Sequence, residues 1–136
     1  MHRLFLGLGS NTGNREALLR EAIARIAQRI GNVARTSSFI ETAPWGFNSE
    51  NPFINAACLV ETELTPLECL EETQKIEREL GRTEKTQNGI YHDRPIDIDL
   101  LRYDNLSINT ERLTLPHPLI HERDFVKIPL AEIEKP

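Results

Sequence analysis

The residues best placed to do chemistry are Asp97 and Asp99, two positions apart in the run Arg94-Pro95-Ile96-Asp97-Ile98-Asp99-Leu100-Leu101. The alternation predicts a strand with both carboxylates on one face and Ile96, Ile98 and Leu100 on the other. Strand rise sets the two aspartates roughly 6.5–7 Å apart along the backbone. Their side chains can then converge on one or two hard cations, which take oxygen ligands. A metal pair about 3.5–4 Å apart is a recurrent device of phosphoryl chemistry. The bland alternative is an outer strand face that is merely solvated. Against it stand the poor strand propensity of Asp and the repulsion of like charges sharing a face.

Cations flank this strand. Arg82, Lys85 and Arg94 bracket a polar segment before it, and Arg112, His117 and Arg123 follow it. Guanidinium groups grip phosphate oxygens in a forked geometry. Each alone is more often a surface residue; placement around the two aspartates is what points to phosphate. Familiar nucleotide motifs are missing. There is no GxxxxGK[ST] and no Gly-Lys pair. Gly7-Leu8-Gly9-Ser10-Asn11-Thr12-Gly13 places its third glycine one position late for a dinucleotide fingerprint. Pro118 interrupts the spacing of His117 and His121, and no Cys pair completes a zinc site. Cys58 and Cys69 read as buried free thiols.

The formal net charge of −5 over 136 residues argues against a nucleic-acid partner. The N-terminus is too short and too weakly charged for a signal peptide, and no run approaches the ~18 apolar residues of a membrane helix. A cytoplasmic, monomeric protein with one domain spanning 1–136 is expected.

The elements that must position the aspartates follow from the pattern. Residues 3–8 form a buried strand ending at Gly9-Ser10-Asn11. Asn14 caps a helix with the stripe Leu18, Leu19, Ala22, Ile23, Ile26 and Ile30, stopped by Gly31. Residues 33–42 read as a second strand, 43–52 as a loop and 53–63 as a third strand. Thr65-Pro66-Leu67-Glu68 carries a capping box with Pro at the first helical position. Leu67, Leu70, Thr73, Ile76 and Leu80 form that helix's inward face, and Gly81 ends it. Residues 82–94 are polar and expected to be mobile. An alternating strand over 96–103 turns at Asp104-Asn105. A small hairpin (106–108 with 113–115) and a helical turn or two over 129–133 complete the chain. The order βαββαβ predicts an α+β, ferredoxin-like fold: an antiparallel sheet with helices on one face.

Five collinear motifs carry a closer likeness. They are Gly7-Leu8-Gly9-Ser10-Asn11; Glu41-Thr42 with Pro44-Trp45-Gly46 and Phe53-Ile54-Asn55-Ala56; Arg94 to Leu100; Leu115-Pro116-His117-Pro118; and His121-Glu122-Arg123-Asp124-Phe125-Val126. Together, over residues 5–131, they resemble the 6-hydroxymethyl-7,8-dihydropterin pyrophosphokinases of folate biosynthesis. The resemblance implies ATP and the hydroxymethyl-pterin as substrates, and a β-phosphorus attack that releases AMP. It implies two Mg²⁺ held by Asp97 and Asp99, with Arg82 and Arg94 acting with them in catalysis. Phe53 and Phe125 would stack on the pterin and Asn55 would bond its edge, with Thr42, Pro44 and Trp45 lining the same pocket. Gln74, Glu77, Ile98, Arg112 and Thr114 would line the nucleotide site, and Arg82, Arg94, His117 and Arg123 would contact phosphate. Two pairings suit this: Phe53 and Asn55 share a strand face, and Gln74 and Glu77 share a helix face. The chain departs from the pattern at Glu84, where relatives often carry a second Arg, with Lys85 next. Tyr91 stands where Trp is common. Phosphate contacts by Lys85 and loop closure by Tyr91 are therefore the least specified of these expectations.

Overall fold

The longest uninterrupted apolar stretch at the N-terminus becomes the centre of the sheet. In the computed structural model β1 (His2–Ser10) lies between β4 (Phe53–Thr62) and β5 (Asp97–Tyr103), antiparallel to both. The remaining elements are α1 (Arg15–Arg29), β2 (Gly31–Thr36), β3 (Ile40–Thr42), α2 (Pro66–Glu79), β6 (Ile108–Asn109), β7 (Thr114–Leu115) and α3 (Asp124–Glu134). The structure describes residues 1–42, 52–81, 95–118, 120 and 123–134. Sheet order is β2-β4-β1-β5, with β3 also pairing β4, and β6-β7 form a separate hairpin. This is the βαββαβ order of the expected ferredoxin-like α+β fold.

Alternation gives the sheet two different faces. Leu4, Leu6 and Leu8 of β1 join Cys58, Val60, Ile98 and Leu100 against Leu19, Ala22 and Ile26 of α1 and Cys69, Leu70 and Ile76 of α2. Each such leucine, fully removed from water, contributes roughly 1.5–3 kcal/mol. The opposite face carries Phe5, Ala57, Leu59 and Leu101, covered by Val126, Leu130 and Ile133 of α3 and by Ile120.

Several local expectations need correction. The residues read as one strand over 33–42 form two, β2 and β3, which pair successive parts of β4 on either side of Ser37. Ser37 spends its hydrogen bonds on that join: its N–H donates to the Ala57 carbonyl at 2.8 Å and its Oγ accepts from the Ala57 N–H at 2.8 Å. Gly31 does not stop α1 by a left-handed turn; it begins β2. A Cβ there would lie 2.0 Å from the Glu61 carbonyl oxygen, so closeness of the backbones is what requires glycine. Gly81, at φ +105°, does follow α2 in the left-handed region, as expected. The capping box of α2 forms, with Thr65 N–H donating to Glu68 at 2.9 Å and Glu68 N–H to Thr65 at 3.2 Å. Leu67, assigned to the inward face of α2, is exposed; Cys69 and Glu77 are buried there instead.

The last helix is longer than the turn or two expected over 129–133. It starts at Asp124 and carries Pro129 inside, so Pro129 is not its first-turn residue. Proline lacks the N–H that would bond the carbonyl four residues back, here that of Phe125, and a helix tolerates this at a local cost. Alternation along β5 also breaks once. The register shifts between Phe5 and Leu6 of β1, leaving Leu101 as an extra residue of β5. A bulge of this kind turns two successive side chains to one face. Leu101 and Arg102 thus both meet Phe5's side of the sheet, and the Arg102 guanidinium lies 4.5 Å from the Phe5 ring centroid.

Candidate active site

Asp97 and Asp99 open β5 on the face shared with Leu101, each half-buried. Their partners across the pair with β1 are Gly9 and Gly7. Beside the two carboxylates the sheet therefore has a floor without side chains. One strand further, Gly9 is opposite Asn55 and Gly7 opposite Ala57. A Cβ on Gly9 would come within 2.9 Å of Asn55 Oδ1 and 3.4 Å of Phe53 Cδ1. The bare backbone of Gly9 is what lets Asn55 and Phe53 lean over β1 toward the aspartates.

Asn55 is buried and donates from Nδ2 to Thr42 Oγ1 at 2.6 Å. Thr42 closes β3 and is opposite Phe53 in the ladder. Three residues expected at one binding surface, Thr42, Phe53 and Asn55, are thus neighbours in two paired strands. Arg15, the first residue of α1, buttresses the same corner. It donates to the Pro52 carbonyl at 2.9 Å and pairs with Glu41 at 3.3 Å. Arg15 belongs to none of the motifs above. Its signal was a cation in the first turn of a helix, where the macrodipole disfavours positive charge, so a tertiary partner was to be expected.

From the other side come His117 and Arg123. The His117 N–H donates to the Leu101 carbonyl at 2.9 Å, fastening the segment after β7 to β5. Burial first, then the Arg123 charge, hold the imidazole below its ordinary range, while Asp97 pulls the other way. Arg123 and Asp97 are therefore both within electrostatic reach of His117. The Arg123 guanidinium lies 5.5 Å from the centroid of the Phe125 ring, where a cation favours the ring face. Phe125, at the start of α3, packs against the cluster containing Phe5 and Leu101.

The donor set suits magnesium. Among the described residues no group of three or more His, Cys, Asp or Glu side chains could enclose an ion. Magnesium needs no such cage: one or two carboxylates, completed by phosphate oxygens and water, suffice. Two half-buried carboxylates beside a bare glycine floor offer that partial shell and leave room for a substrate to finish it. The cleft between α1 and α2, about 360 Å³ and lined by Arg29, Leu64, Glu68, Glu71, Glu72 and Lys75, includes none of these residues.

The family model described as 7,8-dihydro-6-hydroxymethylpterin-pyrophosphokinase matches residues 5–135. The chain belongs to this family. Among curated relatives, a 2-amino-4-hydroxy-6-hydroxymethyldihydropteridine pyrophosphokinase of Porphyromonas gingivalis is 47% identical over 131 residues, covering 96% of this chain and 89% of its own. The enzyme of that name from Bacillus subtilis is 45% identical over 130 residues, covering 95% and 76%. In fold the chain is similar to Plasmodium falciparum HPPK-DHPS, with a TM-score of 0.76 at 16% identity over 96% of this chain. It spans only 40% of that longer chain, so the likeness speaks for the fold alone.

Against the pterin pyrophosphokinase pattern, the remaining expected residues divide. Gln74 is half-buried on α2, and Arg112 and Thr114 are exposed on the β6-β7 hairpin. At 1% exposure the Ile98 side chain belongs to the core under the helices, which leaves its backbone as the part that could face a nucleotide. Glu77 differs too. Its carboxylate is buried and accepts the Ile98 N–H at 2.7 Å, so it is not part of an open helix surface. Pro44, Trp45, Arg82, Lys85, Tyr91 and Arg94 lie outside the described residues, as do all but Pro52 of the expected loop over 43–52 and the whole polar segment 82–94.

Proposed function

We propose that the aspartate face of β5 is where this chain moves the pyrophosphoryl group of ATP onto the hydroxyl of 6-hydroxymethyl-7,8-dihydropterin. The acceptor oxygen attacks the β-phosphorus, the bond from that phosphorus to the α,β-bridging oxygen breaks, and AMP leaves as the hydroxyl proton is lost. The observation that carries the reading is the row Asp97–Gly9–Asn55 across β5, β1 and β4, with Asp99–Gly7 beside it. It brings two carboxylates and a buried amide to one surface with no side chain between them.

Asp97 and Asp99 would hold Mg²⁺, two ions in the fullest form of the proposal. Bound magnesium supplies charge neutralisation and Lewis-acid polarisation of phosphoryl oxygens. The chain's own part is positioning, on which phosphoryl transfer largely depends. Phe53 and Phe125 are assigned to the faces of the pterin ring, and Asn55 and Thr42 to its edge with Pro44 and Trp45. Arg123, Arg94 and Arg82 are assigned to phosphate oxygens, with Lys85 in support. Gln74, Arg112 and Thr114 are assigned to the nucleoside, and Tyr91 to closing over it. His117, whose proton affinity burial lowers, is assigned one hydrogen bond to a phosphate. The proposed protein works as a monomer in the cytoplasm. Among the described residues no helix is long and apolar enough to cross a membrane.

The test is incubation with ATP, the hydroxymethyl-pterin and Mg²⁺, with all nucleotides resolved. AMP appearing only with pterin, one for each pterin diphosphate, is expected. Release of ADP, or AMP formed equally fast without pterin, would show a different reaction.

A further inference from the structure

Among the described residues, Glu77 is the one charged side chain that is fully buried, at 2% exposure. A carboxylate leaves water at a steep cost unless hydrogen bonds or charges replace its hydration. One such replacement is Ile98, whose N–H donates to Glu77 Oε2 at 2.7 Å. Ile98 stands between Asp97 and Asp99. The bond therefore reaches the strand at the centre of the carboxylate pair.

Strand β5 is at the sheet edge, with β1 as its one neighbour in the sheet. Backbone groups of successive residues turn to opposite edges of a strand. The Ile98 amide points outward to Glu77, so those of Asp97 and Asp99 turn inward to Gly9 and Gly7. An edge strand normally leaves its outward amides to water or to a further strand. Here α2 supplies a side-chain acceptor, Glu77 Oε2, at the equivalent point.

We infer that Glu77 is a positioning residue for the metal-binding strand: through the Ile98 N–H it fixes the edge of β5 so that both aspartates hold their shared face. The inference rests on the assignment of Asp97 and Asp99 above. It replaces the reading in which Glu77 meets the nucleotide directly. It also explains why α2 buries a glutamate at the end of an otherwise apolar or small stripe, Cys69, Leu70, Thr73 and Ile76.

The experiment compares the full chain as wild type, Glu77→Gln and Glu77→Ala, with amide exchange followed by NMR and steady-state kinetics run in parallel. Gln retains an acceptor oxygen of similar reach, and Ala removes it. In Glu77→Ala the Ile98 amide should exchange at least ~10-fold faster while amides of β1 keep their protection. Its kcat should fall ~10- to 100-fold, the range typical of losing an outer support of metal ligands. The KM for ATP should stay within ~3-fold, since no contact to substrate is removed. Glu77→Gln should restore Ile98 protection and most of kcat.

A raised KM for ATP with unchanged Ile98 exchange would make Glu77 a nucleotide ligand and overturn the inference. A Gln variant as impaired as Ala would overturn it as well, because charge and not the hydrogen bond would then be needed. Should the Ala variant fail to fold, the Gln variant decides by the same limits. Wild type forming no pterin-dependent AMP would sink the functional reading alone; the amide measurement judges Glu77 either way.

Discussion

At Asp97 and Asp99 two like charges are held half-buried on one strand face, opposite glycines that contribute no side chain. Such a pair is repulsive by itself and becomes favourable with a cation between the carboxylates. Replacing either by alanine should leave the fold intact, because neither belongs to the apolar core. Turnover should fall by at least ~10²–10³-fold, as when one preorganised charge stabiliser is lost. Circular dichroism and AMP formation on the same samples check both halves of this; near-normal rates in either variant would contradict it. Gly9 offers a subtler test. A methyl group there meets Asn55 Oδ1 at 2.9 Å, so Gly9→Ala must displace Asn55 or Phe53. The KM for pterin should rise about tenfold with the KM for ATP little changed, since a misplaced binding group weakens that substrate alone. Equal rises for both substrates would place Gly9 in a different role.

Among elements, those with strong local signals were the ones readable in advance. The capping box fixed the start of α2, Asn14 caps α1 by accepting from Ala17 N–H at 3.2 Å, and Asp104, at φ +48°, turns the chain after β5. What the sequence hid was set by tertiary contact. The break of β2 from β3 depends on Ser37 bonding to β4. The bulge at Leu101 depends on register with β1, and α3 runs straight through a proline that reads locally as a start. Of the site, the alternation of Asp97 with Asp99 and of Phe53 with Asn55 was legible because strand parity is local. The glycine floor was visible only as a motif; its meaning appears once β1 is known to lie between the other two strands. The burial of Glu77 was not legible because a helix face says nothing of what covers it. Arg15 went unread for a similar reason, and it yields a prediction for β3 and β4 as a unit. Its bonds to Pro52 and Glu41 brace the corner that bears Thr42 and Phe53. Arg15→Ala should raise the dissociation constant of pterin several-fold, about the 1–3 kcal/mol range for losing charge-assisted bonds being an upper bound at this partly exposed site. Direct titration by pterin fluorescence reads this; an unchanged constant would reduce Arg15 to a surface ion pair.

For the whole molecule, the sheet must keep its two edges in place for one face to present Asp97, Asp99 and Asn55 together. The far end of β5 is tied to β1 by Asp104, which accepts from Arg3 N–H at 2.7 Å and contacts His2 Nδ1 at 2.7 Å. The Arg3 backbone bond, with help from His2, holds the Asp104 carboxyl below its ordinary range. A carboxyl with a depressed native pKa binds its proton more readily in the unfolded chain. Its contribution is thus present above the unfolded value of about 3.9 and is lost as pH falls below it. Asp104→Asn should therefore lower the urea midpoint at pH 6, and the gap to wild type should close as pH approaches 3. A gap independent of pH would show that the charge is not what matters. The other end of the face is held by α3, where Arg102 pairs with Glu134 and Arg35 donates to the Ile133 carbonyl at 3.1 Å. These ties keep Phe125 and Arg123 on the aspartate side of the sheet.

A crystal of the wild-type chain with a non-hydrolysable ATP analogue, the hydroxymethyl-pterin and Mg²⁺ would show where the ions sit. Carboxylate oxygens of Asp97 and Asp99 should lie about 2.0–2.1 Å from cations that also touch the triphosphate. Carboxylates turned away from the phosphates, with no cation density beside them, would contradict the assignment of this face.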